Sequence, residues 1–117
     1  MMFSPTPAPV RPVRVQLPGM PPTSIRLENG QRSSAKLQTV SVTGGLLRVL
    51  KPLSPGAIVE LFFPTQIGPV LGMAQMLTPC PSAPIGLQPF RFVALDRSDL
   101  RKLRAAISLC LDCEPGC

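Results

Sequence analysis

The sequence predicts a mostly β fold, a small antiparallel β-barrel closed by one C-terminal α-helix. Short runs of alternating apolar and polar residues follow one another and are separated by turn signals such as Asn29-Gly30. The last such run ends near residue 95, and apolar residues then recur at helical spacing. The 117 residues suffice for one compact domain, and with 5 Phe and no Trp or Tyr its core must be filled by aliphatic side chains.

The strand predictions rest on period-two alternation, or on apolar runs of strand length, bounded by Gly, Pro and Asn. The predicted strands are residues 13–17, 23–28, 34–42, 46–50, 57–63, 70–77 and 87–95. Asn29-Gly30 predicts a hairpin between the second and third of these, because both residue types tolerate a positive φ angle. Gly44-Gly45 predicts the turn that leads into the fourth.

A single helix is predicted after residue 95. Asp96 or Ser98 is expected to cap its N-terminus, because short polar side chains accept hydrogen bonds from the first free amides. One face of the helix is apolar, and we expect it to seal the barrel. This face consists of Leu100, Leu103, Ile107 and Cys110 or Leu111. The face expected in solvent is basic and carries Arg97, Arg101, Lys102 and Arg104.

The sequence predicts a single domain with a tail at each end. Residues 1–10 are rich in proline and are expected to be disordered, residues 11–111 form the domain, and residues 112–117 form a cysteine-containing tail. The N-terminus lacks the continuous apolar stretch of a signal peptide, so we expect a cytoplasmic protein. Residues 61–90 carry no charge, but their prolines break any helix, so no membrane span is predicted.

The composition argues against catalysis. Histidine is absent, which removes the commonest general base and the commonest zinc ligand. The chain contains neither a P-loop nor a Gly-x-Gly-x-x-Gly motif for nucleotide phosphates. We therefore expect a protein that is not an enzyme, with no catalytic residue and no cofactor.

The cysteines raise a metal site as an alternative. Cys110, Cys113 and Cys117 lie close together in sequence, and Cys80 is the remaining thiol. Structural zinc is usually held by two closely spaced pairs, whereas Cys80 stands alone in a proline-rich segment. The simpler interpretation is that Cys110 packs in the helix, while Cys113 and Cys117 are reduced thiols in the tail. No metal site is predicted.

Positive charge is concentrated in the first half of the chain. The basic residues there are Arg11, Arg14, Arg26, Arg32, Lys36, Arg48 and Lys51. Glu28 is the one acidic residue among them, so the first strands create a positive potential that attracts an anionic partner, with phosphate as the obvious candidate. The alternative is a solvated surface, since charged strand faces are common.

The functional prediction rests on residues 39–44, at the junction of two predicted strands. They read Thr-Val-Ser-Val-Thr-Gly and resemble the signature of the PilZ family, which is Asp or Asn, any residue, Ser, two residues, Gly. Ser41 and Gly44 fall on two of its fixed positions, and Thr39 stands at the first, where it departs from the pattern. The alternative is that Ser41 and Thr43 are ordinary strand residues beside a tight glycine turn.

The resemblance extends from about residue 14 to residue 107 and includes the hairpin, the PLSPG turn, the last strand and the helix. It implies a six-stranded antiparallel β-barrel of the split-barrel type with one C-terminal helix. It also implies binding of cyclic diguanylate (cyclic-di-GMP), a bacterial second messenger with two phosphates and two guanines, and transmission of its level to an effector protein. The binding residues that it implies are Arg11, Arg14, Thr39, Ser41 and Gly44.

Arginine suits such a ligand, because its guanidinium forms paired hydrogen bonds with phosphate and stacks on a guanine ring. The basic arm of the family is Arg-x-x-x-Arg, and here Arg11 and Arg14 are one residue closer, so that Arg14 fits and Arg11 is out of register. At Thr39, a hydroxyl offers fewer acceptor sites than a carboxylate. Losing one charge-assisted contact costs about 1.5–3 kcal/mol, or about ten- to hundredfold in affinity.

Three functional hypotheses follow. The first is a cyclic-di-GMP receptor domain in which Arg11 and Arg14 clamp the ligand. The second is a degenerate PilZ-like module that has lost the nucleotide and binds another protein constitutively. The third, a barrel that binds single-stranded nucleic acid, accounts for the net charge of +6 but lacks the Trp and Tyr on which bases stack. We therefore expect no nucleic-acid partner.

Overall fold

A computed structural model describes residues 13–82 and 84–112 of the chain. The predictions for the proline-rich tail at residues 1–10, for Arg11, and for Cys113 and Cys117 lie outside the described residues. Residues 13–111 make up nearly all of the domain expected from the sequence.

Six antiparallel strands form a closed barrel in the order β1-β2-β3-β6-β5-β4, followed by one helix. The elements are β1 Pro22–Leu27, β2 Arg32–Val40, β3 Gly44–Arg48, β4 Ile58–Phe63, β5 Val70–Met76, β6 Leu87–Leu95 and α1 Arg97–Asp112. The fold class is therefore confirmed. Each of these strands lies within two residues of its predicted bounds at both ends.

The hairpin between β1 and β2 is confirmed. Arg26 and Arg32 are its last paired residues, and the amide of Gly30 donates to the carbonyl of Leu27 at 2.9 Å. Gly30 has a φ angle of 87°, which favours glycine, and the side-chain oxygen of Asn29 accepts the amide of Gln31 at 2.9 Å. Of the Asn-Gly pair, Gly30 takes the positive φ angle, whereas Asn29 does not and contributes through its side-chain hydrogen bond.

The strand predicted at residues 13–17 is wrong. This segment makes a single antiparallel bridge, between Val15 and Val40, and no ladder. Its alternation still sets which side chains are inside, because Val15 and Leu17 are buried whereas Arg14 is exposed. Every strand of the closed barrel already has two neighbours, and β1 pairs with β2 only as far as Lys36, so the segment meets β2 only at its short free end.

The turn predicted at Gly44-Gly45 is also wrong, since both residues lie in β3 and the chain turns at residues 41–43 instead. Glycine occupies both positions because the neighbouring strands leave no room for a side chain there. A Cβ on Gly44 would collide with the carbonyl oxygen of Phe90 and lie 2.8 Å from the Cα of Arg91, and a Cβ on Gly45 would lie 3.0 Å from the Cα of Val40. The two glycines allow β3 to approach both of its neighbours.

The core fills the barrel and is mostly aliphatic. Its largest fully buried side chains are Phe63, Phe90, Ile25, Leu37, Leu47, Leu61, Met76 and Leu103. α1 seals the end of the barrel at which β5 begins, with Leu103 and Ile107 buried and Cys110 packed against the core. The predicted stripe is confirmed in these positions, whereas Leu111 is exposed. The helix begins at Arg97, which leaves Asp96 at the N-cap position.

Two hydrogen bonds fasten α1 to the barrel. The carboxylate of Asp99 accepts the amide of Leu71 at 3.1 Å, and Lys102, which was expected in solvent, donates to the carbonyl of Pro69 at 3.1 Å. Both bonds reach the start of β5, so the first turns of the helix are tied to one corner of the barrel.

Gln88 holds the opposite end of the barrel. Its side chain is fully buried, its oxygen accepts the amide of Leu53 at 2.8 Å, and its nitrogen donates to the carbonyls of Leu53 at 2.7 Å and Leu77 at 3.1 Å. A buried amide with its hydrogen bonds satisfied rigidifies the groups around it. Gln88 therefore joins the β3–β4 and β5–β6 loops.

We predict that Gly44→Ala lowers the free energy of unfolding by about 3 kcal/mol, because the new methyl group meets backbone atoms that cannot rotate away. Gly30→Ala is the matched control, since a Cβ there meets nothing within 4 Å and costs only the positive φ angle, about 1–2 kcal/mol. Urea unfolding followed by circular dichroism measures both. A smaller loss in Gly44→Ala than in Gly30→Ala would contradict the close approach of β3 and β6.

Candidate functional site

The turn between β2 and β3 (residues 41–43) is organised by Ser41. The amide of Ser41 donates to the carbonyl of Gly44 at 2.7 Å. Its hydroxyl donates to the same carbonyl at 3.2 Å and accepts the amide of Thr43 at 3.2 Å. Since Ser41 is only 2% exposed, its hydroxyl is committed to the shape of the turn.

Thr39 follows an irregularity in β2. Leu37 is opposite Leu47 and Thr39 is opposite Leu46, so Gln38 is an extra residue in the ladder. The hydroxyl oxygen of Thr39 is buried and has no hydrogen-bond partner among residues 13–82 and 84–112. At the position where the PilZ signature has Asp or Asn, this chain therefore has a hydroxyl that does not reach the surface.

The segment that precedes β1 crosses the end of β2 beside this turn. We call residues 13–21 the N-terminal arm. Val15 and Val40 exchange two backbone hydrogen bonds of 2.9 Å each, and the amide of Leu37 donates to the carbonyl of Pro21 at 2.9 Å. The antiparallel direction of the bridge sets Arg14 on the side of Ser41.

The structure thus brings four of the five predicted site residues to one end of the barrel. Arg14 is exposed on the arm, Thr39 and Ser41 flank Val40, and Gly44 begins β3 directly after the turn. Arg11 lies outside the described residues. Arg14 is the member of this set whose charged group faces solvent beside the turn.

Further basic side chains lie on the outer wall of β2, β3 and β6, and we call Lys36, Arg48 and Arg91 the basic face. Lys36 is directly opposite Arg48, and Arg91 is directly opposite Gly44. Arg48 donates to the side-chain oxygen of Gln38 at 3.3 Å, and Arg91 donates to that of Gln75 at 2.9 Å. All three basic residues are exposed, and these strands contain no acidic residue.

Arg91 was not among the residues singled out from the sequence. It lies far from residues 39–44 along the chain, and only the pairing of β3 with β6 sets it beside Gly44. Lys36 and Arg48 were noted only as contributors to positive charge. Together with Arg14, the basic face provides guanidinium and ammonium groups that suit a ligand with phosphates.

The cysteines that the structure describes lie at different ends of the barrel. Cys80 is in the β5–β6 loop, and the sulfur of Cys110 in α1 lies 3.9 Å from the carbonyl oxygen of Gln16. Within the described stretches, no three His, Cys, Asp or Glu residues come close enough to hold a metal ion. In the same part of the chain, no helix has the length and apolar character needed to cross a membrane.

We predict that Thr39→Val raises the free energy of unfolding by about 1 kcal/mol, because it removes a buried hydroxyl without a partner and keeps the side-chain shape. The matched control is Thr23→Val. Thr23 is 1% exposed and donates to the carbonyl of Pro21 at 3.3 Å, so its replacement should lower stability by about 1 kcal/mol. Urea unfolding measures the free energy of unfolding of both variants. If both variants lose the same free energy, the Thr39 hydroxyl has a hydrogen-bond partner in solution.

No family model matches the chain, and no curated protein matches it in sequence. Solved structures do match it in fold. The PilZ domain of YcgR from Escherichia coli, solved with c-di-GMP, has a TM-score of 0.67 and 17% sequence identity, covering 88% of this chain and 92% of that chain. The PilZ domain of CeSA from a cellulose-synthesizing bacterium has a TM-score of 0.61 and 15% sequence identity, covering 83% of this chain and 97% of that chain.

A third match is MrkH of K. pneumonia in complex with c-di-GMP, with a TM-score of 0.64 and 16% identity. It covers 90% of this chain and 53% of that chain, so this chain spans about half of MrkH. The similarity extends across nearly the whole barrel and helix. The chain therefore has the fold of a PilZ domain.

Proposed function

We propose that the protein is a cyclic-di-GMP receptor of the bacterial cytoplasm, an adaptor without catalytic activity. The observation that supports this most strongly is the Val15–Val40 bridge, which holds Arg14 beside the Thr39-x-Ser41-x-x-Gly44 turn. Domains of the same fold in YcgR and MrkH have been solved with c-di-GMP bound. A basic arm beside a glycine-bounded turn on such a barrel suits a ligand with two phosphates.

We propose two kinds of contact with the ligand, charged contacts from the arginines of the arm and contacts with the surface of the β2–β3 turn. Arg14, together with Arg11, grips a phosphate and stacks on a guanine. Ser41 and Gly44 keep the turn in the shape against which the ligand lies, because the hydroxyl of Ser41 is used within the turn. The basic face raises the local concentration of an anion on the adjacent wall.

Thr39 sets the expected strength of binding. Its hydroxyl is buried, so it offers the ligand no charge and no exposed acceptor in the described conformation. A guanine that loses one charge-assisted hydrogen bond loses about 1.5–3 kcal/mol, which corresponds to about ten- to hundredfold in affinity. We therefore expect binding in the micromolar range.

Such a receptor would signal ligand binding through a change in the conformation of the N-terminal arm. The described part of the arm is fixed to the barrel at Val15 and Pro21, whereas Arg14 lies on the far side of the bridge. A ligand held by Arg14 and the turn favours arm conformations in which this arginine is close to the barrel. An effector protein that contacts the arm would detect that change in population.

The second candidate function is a protein-binding module that no longer binds the nucleotide. The hydrogen bonds of Ser41 and the burial of the Thr39 hydroxyl favour it, because neither hydroxyl is available to a ligand in the described conformation. The PilZ-like fold is equally compatible with this function. The two candidates differ in whether any nucleotide binds.

Isothermal titration calorimetry with cyclic-di-GMP distinguishes them. We predict saturable micromolar binding by the wild-type chain and a loss of at least tenfold in affinity in Arg14→Ala, because a charge-assisted contact to phosphate is removed. Arg104→Ala is the matched control, since Arg104 is an exposed arginine on α1 and its loss changes the net charge equally.

Absence of heat with the wild-type chain at high ligand concentration would leave the protein-binding module as the function. Equal affinity in Arg14→Ala and wild type would rule out the proposed clamp while leaving the ligand in place. Binding that is weakened equally by Arg14→Ala and Arg104→Ala would indicate general attraction to the net charge of +6.

A further inference from the structure

The outer wall of β4 and β5 carries large apolar side chains, and we call Phe62, Leu71 and Met73 the apolar face. Phe62 is directly opposite Leu71, and Met73 is directly opposite Ala94 of β6, which is also exposed. The exposed fractions are 47% for Phe62, 45% for Leu71 and 41% for Met73. Outward positions of a barrel strand in water are usually polar, so a contiguous apolar group on neighbouring strands indicates an interaction surface.

A groove borders this face. It has a volume of about 390 Å³ and lies between the β1–β2 hairpin and strands β4 and β5. Phe62 and Leu71 form its apolar wall, while Arg26, Arg32 and Glu60 form its polar wall. The groove can therefore accept an apolar side chain on one side and a charged group on the other.

The polar wall has excess positive charge. Arg26 lies 3.5 Å from Glu60, so the carboxylate is already paired. Arg32 is directly opposite Arg26 and is exposed, and no ion pair involves it among the residues that the structure describes. A carboxylate that approached Arg32 would relieve the repulsion between the two arginines.

From these features we propose that the groove and the apolar face dock an acidic amphipathic segment of a partner protein. Apolar side chains of the segment would lie on Phe62, Leu71 and Met73, and a carboxylate would pair with Arg32. Aromatic residues, Met and Arg are the side chains most enriched at the centres of protein interfaces. Because the barrel is closed, the partner docks through side chains and not by adding a strand.

Charge complementarity selects this occupant over a second copy of the chain, and the shape of the groove selects it over a lipid surface. A second copy has the same net charge of +6 and presents the same arginines. A bilayer presents a broad, flat interface, whereas Phe62 and Leu71 line a groove that a flat surface cannot enter.

This surface is separate from the proposed nucleotide site. In the closed barrel, β4 and β5 lie across from β2 and β3, and the groove and the apolar face include neither Arg14 nor any residue from 39 to 44. The docking proposal therefore does not depend on nucleotide binding, and a partner does not compete with the ligand for residues.

The test begins with a library of random 16-residue peptides displayed on phage. The 117-residue chain selects binders, without depletion on any variant. Synthetic versions of the enriched peptides are then measured by fluorescence anisotropy. We expect peptides that combine Asp or Glu with Leu, Ile or Phe and bind with micromolar Kd. Leu71→Gln and Arg32→Glu should each weaken binding at least tenfold.

Matched controls separate this surface from general effects. Leu50→Gln replaces a fully exposed leucine in the β3–β4 loop, and Arg104→Glu reverses an exposed charge on α1, so both should bind the peptides like wild type. Peptides with Lys in place of the acidic residues should regain binding to Arg32→Glu. Circular dichroism verifies that each variant is folded.

Several outcomes would overturn the proposal. These are a selection without enriched binders, enriched peptides that lack acidic residues, or equal binding by Leu71→Gln and wild type. Sedimentation velocity that shows a dimer lost in Leu71→Gln would assign the face to a second copy of the chain. Co-sedimentation with phosphatidylglycerol vesicles that is lost in Leu71→Gln would assign it to a lipid surface.

Discussion

The close backbone contact between β3 and β6 closes this barrel. Gly44 and Gly45 have no Cβ where the neighbouring strands leave no room for one, so β3 fits between β2 and β6 and the sheet has no free edge. Because closure leaves only the end of β2 beyond Lys36 without a β1 partner, the N-terminal arm makes a single bridge there, at Val40. Closure also sets Arg91 beside Gly44 and gives α1 a complete rim to seal. The candidate site is thus a consequence of this contact.

Two of the residues that resemble the PilZ signature, Ser41 and Gly44, help to hold this barrel together. Ser41 fixes the turn through its amide and hydroxyl, Gly44 permits the strand contact, and the hydroxyl of Thr39 is buried beside the irregularity in β2. A signature can therefore persist in a chain for structural reasons even if the ligand is lost. This is why the exposed arginines, and above all Arg14, distinguish a receptor from a binding module.

The two walls of the barrel differ in chemistry. The wall of β2, β3 and β6 carries the basic face and has no acidic residue, which suits an anionic ligand. The strands β1, β4 and β5 carry most of the apolar face and groove, which Arg32 at the start of β2 also lines. A receptor needs a place for its ligand and a place for its partner, and a small closed barrel can provide both on different parts of its outer surface.

The local features of this chain could be predicted without a structure, namely the Asn29-Gly30 hairpin, the alternation that buries Val15 and Leu17, and the helix with its buried stripe. These depend on φ preferences and on side-chain periods, which are properties of neighbouring residues. Three features could not be predicted in this way: residues 13–17 form one bridge, Gly44-Gly45 is strand, and Arg91 lies beside Gly44. Those outcomes depend on which strands become neighbours when the barrel closes, and the spacing of residues along the chain does not encode that directly.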